Sequence, residues 1–144
     1  MNTSPWNAGG EVEALVHPTA IIDPRANVAP GVAVGPYSII GPGVVVGRGT
    51  VLGPHVLVER DTTLGEQCQI AKGAVIGGDP QDLKYEGEPS HLFVGDRTVV
   101  REYATLNRGT RASGQTVVGS DCLIMAYTHV AHDCEIGNHV VLSN

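Results

Sequence analysis

An aliphatic residue recurs at every sixth position over most of the chain: Val16, Ile22, Val28, Val34, Ile40, Val46, Leu52, Val58, Leu64, Ile70 and Ile76. The phase is lost there, returns at Val94, Val100 and Leu106, and returns again at Val118, Ile124, Val130, Ile136 and Leu142. Four residues after an anchor the side chain is usually small, as at Ala20, Ser38, Thr50, Cys68, Ala74, Thr98, Ala104, Thr110, Cys122 and Cys134. Gly often follows the anchor directly (Gly35, Gly41, Gly47, Gly53), and Pro often comes next (Pro18, Pro24, Pro30). An α-helix cannot carry Gly and Pro in every repeat. A parallel β-helix can, with short strands turning aliphatics inward and Gly and Pro at the corners. The expected class is therefore all-β, a hexapeptide-repeat solenoid.

The 144 residues allow one domain, with an extension over 1–15 and the coil over 16–144. Only 4% of residues are aromatic, as a narrow interior of stacked Val, Ile and Leu requires. The first fifteen residues lack a basic start followed by an apolar run, so no secretory signal is expected. No stretch approaches the roughly 20 apolar residues that span a bilayer. A soluble, cytoplasmic protein with no integral membrane segment follows, and the net charge of −6 gives no reason to expect nucleic acid as a partner. Cys68, Cys122 and Cys134 share the small inward slot and read as core fillers rather than a redox or metal set.

Three repeats make one turn of such a coil, so every third repeat stacks in one column about 4.8 Å higher. Counting from Val16, the two breaks fall in repeats eleven and fourteen, and repeat seventeen contains His132. Both insertions and His132 are thus expected on one face in adjacent turns, where insertions in repeat proteins often build the functional side. The first insertion, near 77–93, carries Gln81, Asp82, Lys84 and Tyr85; the second, near 108–117, carries Arg108 and Arg111. Five of nine basic residues lie between Lys84 and Arg111, a concentration that suits a phosphate-bearing ligand.

The segment Thr128–Cys134 reads THVAHDC. In frame, His129 projects outward and His132 takes a corner slot that holds Pro in other repeats. An imidazole titrating near neutrality is suited to removing a proton from a hydroxyl. Asp133 beside it could orient or support such a base. His17, His55 and His139 occupy other turn positions and receive no role. A zinc site would need His129, His132 and a third ligand, for which His91 is the available candidate.

The segments QDLKY-x-GEP (Gln81 to Pro89), VGDR (Val94 to Arg97), RE followed by NRGT (Arg101 to Thr110), VGSD (Val118 to Asp121) and HVAHDC (His129 to Cys134) occur in this order. With the repeats, they resemble the acyl-(acyl-carrier-protein)–UDP-N-acetylglucosamine O-acyltransferases of lipid A biosynthesis, from Val16 to Asn144. The resemblance implies a left-handed coil, a homotrimer with sites between subunits, and no metal or organic cofactor. It implies transfer of an (R)-3-hydroxyacyl chain from acyl carrier protein to the 3-hydroxyl of UDP-N-acetylglucosamine. By matched position, His132 is the catalytic general base; Gln81, Asp82, Lys84, His129 and Asp133 are the substrate-binding residues. In that family more β-helix, with a further histidine and the amide for the oxyanion, follows the part matched here, and then a C-terminal helical domain. The chain is accordingly expected to be an N-terminal part, truncated before that domain. Rival readings are an N-acyl or acetyl-coenzyme A hexapeptide transferase, a zinc carbonic anhydrase and a non-catalytic solenoid.

Overall fold

The computed structural model describes residues 14–144, so most of the 1–15 extension lies outside the described residues. Each hexapeptide contributes one short strand, and the strands form three parallel sheets of seven, six and six strands. The first face stacks Leu15–Val16, Ala33–Val34, Val51–Leu52, Gln69–Ile70, Val99–Val100, Leu123–Ile124 and Val141–Leu142. The second stacks Ile21–Ile22, Ile39–Ile40, Leu57–Val58, Val75–Gly78, Thr105–Asn107 and His129–Val130. The third stacks Asn27–Val28, Val45–Val46, Thr62–Leu64, His91–Val94, Gln115–Val118 and Glu135–Ile136. The coil is a left-handed parallel β-helix, an exception to the usual right-handed crossover. Among the described residues no helix is long and apolar enough to cross a membrane.

The strands are two residues long in most repeats because only one anchor per repeat must reach the interior. Ile40, Leu52, Val58, Ile76, Leu106 and Ile124 fill it and are essentially inaccessible. The alternate residue of many strands faces out, as with Ile39, Val45 and His129, although Ala33 is buried. In three of the small inward slots the hydroxyl bridges two turns, whereas Thr62 Oγ1 donates to the nearby Arg60 carbonyl and Thr128 Oγ1 has no partner among the described residues. Ser38 Oγ donates to the Gly53 carbonyl at 2.7 Å and accepts from the Val56 amide at 3.0 Å. Thr50 and Thr98 repeat this arrangement with Gly65 and Cys68, and with Gly119 and Cys122. A buried hydroxyl satisfied in this way avoids the desolvation cost of an orphan. Cys68 and Cys122 are buried in the same slots, Cys134 is half-buried, and burial pushes the Cys68 thiol up.

The corners differ from the simple Gly–Pro expectation. The left-handed conformation falls on the second turn residue, which is non-glycine at ten positions, including Tyr37, His55, Tyr103, Tyr127 and Asp133. A Pro at the preceding position and positive φ here is the pattern of a type II turn. The glycine directly after an anchor has another purpose: a Cβ on Gly35 would lie 2.7 Å from the Gly53 carbonyl carbon one turn up. Close stacking of backbones, rather than φ, selects glycine there. His55 stacks on Tyr37 at 5.2 Å, and Tyr103 on Tyr127 at 5.5 Å, along one corner.

One core position needs correction. The slot two residues before Val118 is filled by Thr116, which is fully buried and in register with Leu92. Thr110, expected in that role, leaves the coil with the second insertion.

Candidate active site

The second face carries the site. Ile76 pairs in register with Leu106, and Leu106 with Val130, so the three repeats identified by counting do stack in adjacent turns. The chain leaves the sheet after Gly78 and returns at His91, and leaves again after Asn107 and returns at Gln115. The second excursion packs against the corner that bears His132, and the first packs against the second.

Arg108 joins them. Its side chain is 1% exposed, and its guanidinium donates to the Gly77 carbonyl, to Asp79 Oδ1 and, at 3.2 Å, to the Tyr85 hydroxyl. Its Nε has no partner. Asp79 and Tyr85 flank the segment with Gln81, Asp82 and Lys84, so this buried cation pins that segment at both ends. Within it, Asp82 Oδ1 accepts from the Lys84 amide at 3.0 Å, and the Asp82 carbonyl accepts from the Tyr85 amide at 2.9 Å. Gln81 and Lys84 are exposed and Asp82 half-buried.

The expected phosphate-binding cluster of basic residues is largely spoken for. Arg97 pairs with Asp121 at 2.7 Å, Arg101 with Glu102 at 2.9 Å, Arg108 with Asp79, and Arg111 with Glu86 at 3.3 Å and Glu88 at 3.7 Å. Of the five, only Lys84 has no carboxylate at ion-pair distance among the described residues. Arg108 is buried with its carboxylate, whereas Arg97, Arg101 and Arg111 pair at the exposed surface, where such pairs are weak.

His132 Nδ1 lies 2.9 Å from Asp133 Oδ2, and the two side chains are 30% and 20% exposed. The carboxylate also accepts from the Thr110 amide at 2.8 Å, the Thr110 hydroxyl at 2.6 Å and the Ser113 hydroxyl. Burial alone would raise the Asp133 carboxyl, but the bonds from Ser113, Thr110 and His132 outweigh it and hold the group well below the usual carboxylate range. An ionised carboxylate only accepts, so the imidazole proton must sit on Nδ1. Nε2 is left with its lone pair, as a base requires.

His129 projects from its strand as expected, in register with Thr105, and its Nδ1 shares a 2.7 Å hydrogen bond with the Thr105 hydroxyl. His91 lies on the third face rather than beside His129, and among the described residues no group of three His, Cys, Asp or Glu could hold a metal. An open concavity of about 520 Å³ is lined by Asp82, Lys84, Glu86, Glu88, Thr110, Arg111 and Ala112. It unites the two insertions but does not include Gln81, His129 or His132. A larger concavity, about 680 Å³, lies on the first face between Gly35, Leu52, Gln69 and Arg101. It holds no residue of this cluster, and the chemistry lies elsewhere. Reading the sequence missed Ser113, for which a lone serine in a polar loop gives no signal, and Thr110, which the repeat frame assigned to the core.

The coil is built of hexapeptide repeats, with the two excursions and the histidine pair set on it. The bacterial transferase hexapeptide family (six repeats) matches residues 13–48 and 115–144. The chain is 56% identical over 130 residues to the acyl-(acyl-carrier-protein)–UDP-N-acetylglucosamine O-acyltransferase of Ralstonia nicotianae, covering 90% of this chain and 48% of that protein. To the enzyme of the same name from Xylella fastidiosa it is 54% identical over 132 residues, covering 91% and 50%. The structure of UDP-N-acetylglucosamine O-acyltransferase from Moraxella catarrhalis superposes with a TM-score of 0.88 at 44% identity, over 90% of this chain and 51% of that one. Over this shared part the chain is similar to acyl-(acyl-carrier-protein)–UDP-N-acetylglucosamine O-acyltransferases. It spans about half the length of these curated relatives.

Proposed function

We propose that this chain supplies the general base and part of the sugar-nucleotide site of an O-acyltransferase. The enzyme moves an (R)-3-hydroxyacyl group from acyl carrier protein to the 3-hydroxyl of UDP-N-acetylglucosamine, the first step of lipid A biosynthesis. The carrying observation is the His132–Asp133 pair, in which a neutral ring that donates from Nδ1 to the carboxylate keeps its lone pair on Nε2. Nε2 takes the proton of the 3-hydroxyl as its oxygen attacks the thioester carbonyl. The tetrahedral adduct then collapses, the carbon–sulfur bond breaks, and the imidazolium returns the proton to the departing thiolate. Asp133 stabilises the imidazolium in between, acting through His132 rather than on substrate. His129 stands near the reacting groups, and Asp82, Lys84 and Gln81 contact the sugar nucleotide, with Lys84 as the cation available to its phosphates. The reading places three copies in a homotrimer in the cytoplasm, with sites between subunits and no cofactor.

The test is mass-spectrometric detection of UDP-3-O-(3-hydroxyacyl)-N-acetylglucosamine, using this chain joined to the remaining half of the Ralstonia nicotianae enzyme. Wild-type sequence should give product, and His132→Ala should slow it by about 10²–10⁴-fold, the usual worth of a positioned base. No product from the wild-type fusion, or equal rates from both, would sink the proposal.

A further inference from the structure

We infer that Thr110 and Ser113 are positioning residues, and that the second insertion exists to hold Asp133 in place behind His132. This rests on His132 being the base, but on nothing about the acyl donor or acceptor.

Three donors converge on one carboxylate from a seven-residue excursion. The Thr110 amide and the Ser113 hydroxyl reach Oδ1, while the Thr110 hydroxyl reaches Oδ2, the oxygen that also receives His132 Nδ1–H. The Ser113 hydroxyl is also 2.7 Å from the Gln115 carbonyl, but it has one proton, and an anionic carboxylate is the stronger acceptor. The loop is braced for the purpose: the Ala112 amide donates to Thr110 Oγ1 at 3.1 Å and the Gln115 amide to Ser113 Oγ at 3.3 Å. On the other side, the Asp133 amide donates to the buried Thr116 hydroxyl at 2.9 Å. Asp133 itself sits at φ 59, a conformation that directs its short side chain back toward the insertion. Every anchor of this carboxylate other than His132 belongs to residues 110–116.

Charged neighbours do not supply a competing explanation. Arg111 of the same loop is engaged with Glu86 and Glu88, Arg108 with Asp79, and among the described residues Asp133 is the only carboxylate at ion-pair distance from His132. Geometry of this kind fixes the ring tautomer and its direction, as a third group does in other base–nucleophile sites. It also divides the carboxylate's hydrogen-bonding capacity among several donors, which limits how tightly it can hold an imidazolium.

The experiment is an NMR titration of the His132 ring in this chain, compared with Thr110→Val, Thr110→Ser and Ser113→Ala. Removing a hydroxyl donor makes Asp133 more basic, so the protonated ring is favoured. The His132 midpoint should rise by about half a pH unit, roughly threefold in proton affinity, in Thr110→Val and Ser113→Ala. Thr110→Ser keeps its donor and should return to the wild-type midpoint. An unchanged midpoint in both donor-removing variants, with folded amide spectra, would overturn the inference. So would Thr110→Ser behaving like Thr110→Val. None of these readouts requires turnover, so failure of the acyltransferase reading would be seen separately, in the product assay.

Discussion

At Asp133 the backbone has a left-handed φ, the side chain accepts from four donors, and the carboxyl is held well below its ordinary range. A carboxylate favoured in the folded state ties stability to pH. The unfolded group titrates near 3.9. Above that value the stabilisation is fully present, and it is lost as pH falls from about 4 toward the lower folded value. Asp133→Asn should therefore be less stable than wild type at pH 7, with the gap narrowing below about pH 4. Chemical denaturation of both proteins at pH 7 and pH 3 measures this, and a gap that does not narrow would contradict it. The same residue marks where sequence reading stopped. His132 and Asp133 could be placed at a corner because THVAHDC keeps the frame, with Val130 as its anchor. Thr110 was misplaced because the frame says which side chains face inward only while the chain follows the coil.

Among the elements, the segment 79–90 has no strand of its own, and its conformation depends on Arg108. Sequence suggested that the basic cluster containing Arg108 suits a phosphate-bearing ligand, because composition reports a cluster of charge but not the carboxylates beside it. Burial decides the matter: a guanidinium 1% exposed and bonded to Gly77, Asp79 and Tyr85 is a clamp. Arg108→Met keeps the volume and removes these bonds, leaving the Gly77 carbonyl without its buried donor. The loss should be about 1–3 kcal/mol. It should be felt locally, with trypsin cutting faster after Lys84 while the coil stays resistant. Timed digestion followed by mass spectrometry reads this directly, and uniform acceleration at all sites would indicate a global effect instead.

For the whole molecule, the period alone was enough to place the strands in columns, because a parallel coil allows only one register per repeat. The handedness was not legible from the period, and the roles of the glycines were only partly so. A Cβ on Gly35 meets backbone of the next turn. Gly35→Ala must push two turns apart and should lower the thermal midpoint by several degrees, about 1–3 kcal/mol of overpacking. An unchanged midpoint would refute this account of why glycine follows the anchor.

The backbone hydrogen bonds of a parallel coil join each turn to the next, so tension applied along its axis loads each gap between turns in series. Side-chain ties supplement them along the coil, as at Ser38, Thr50 and Thr98. Arg108 reaches from its own turn to residues 77 and 79 of the turn before, and Asp133 reaches back to Thr110. Under axial load the gaps on either side of the Leu106 turn are therefore held by side chains as well as by backbone, and His132 rides on a stretch so reinforced.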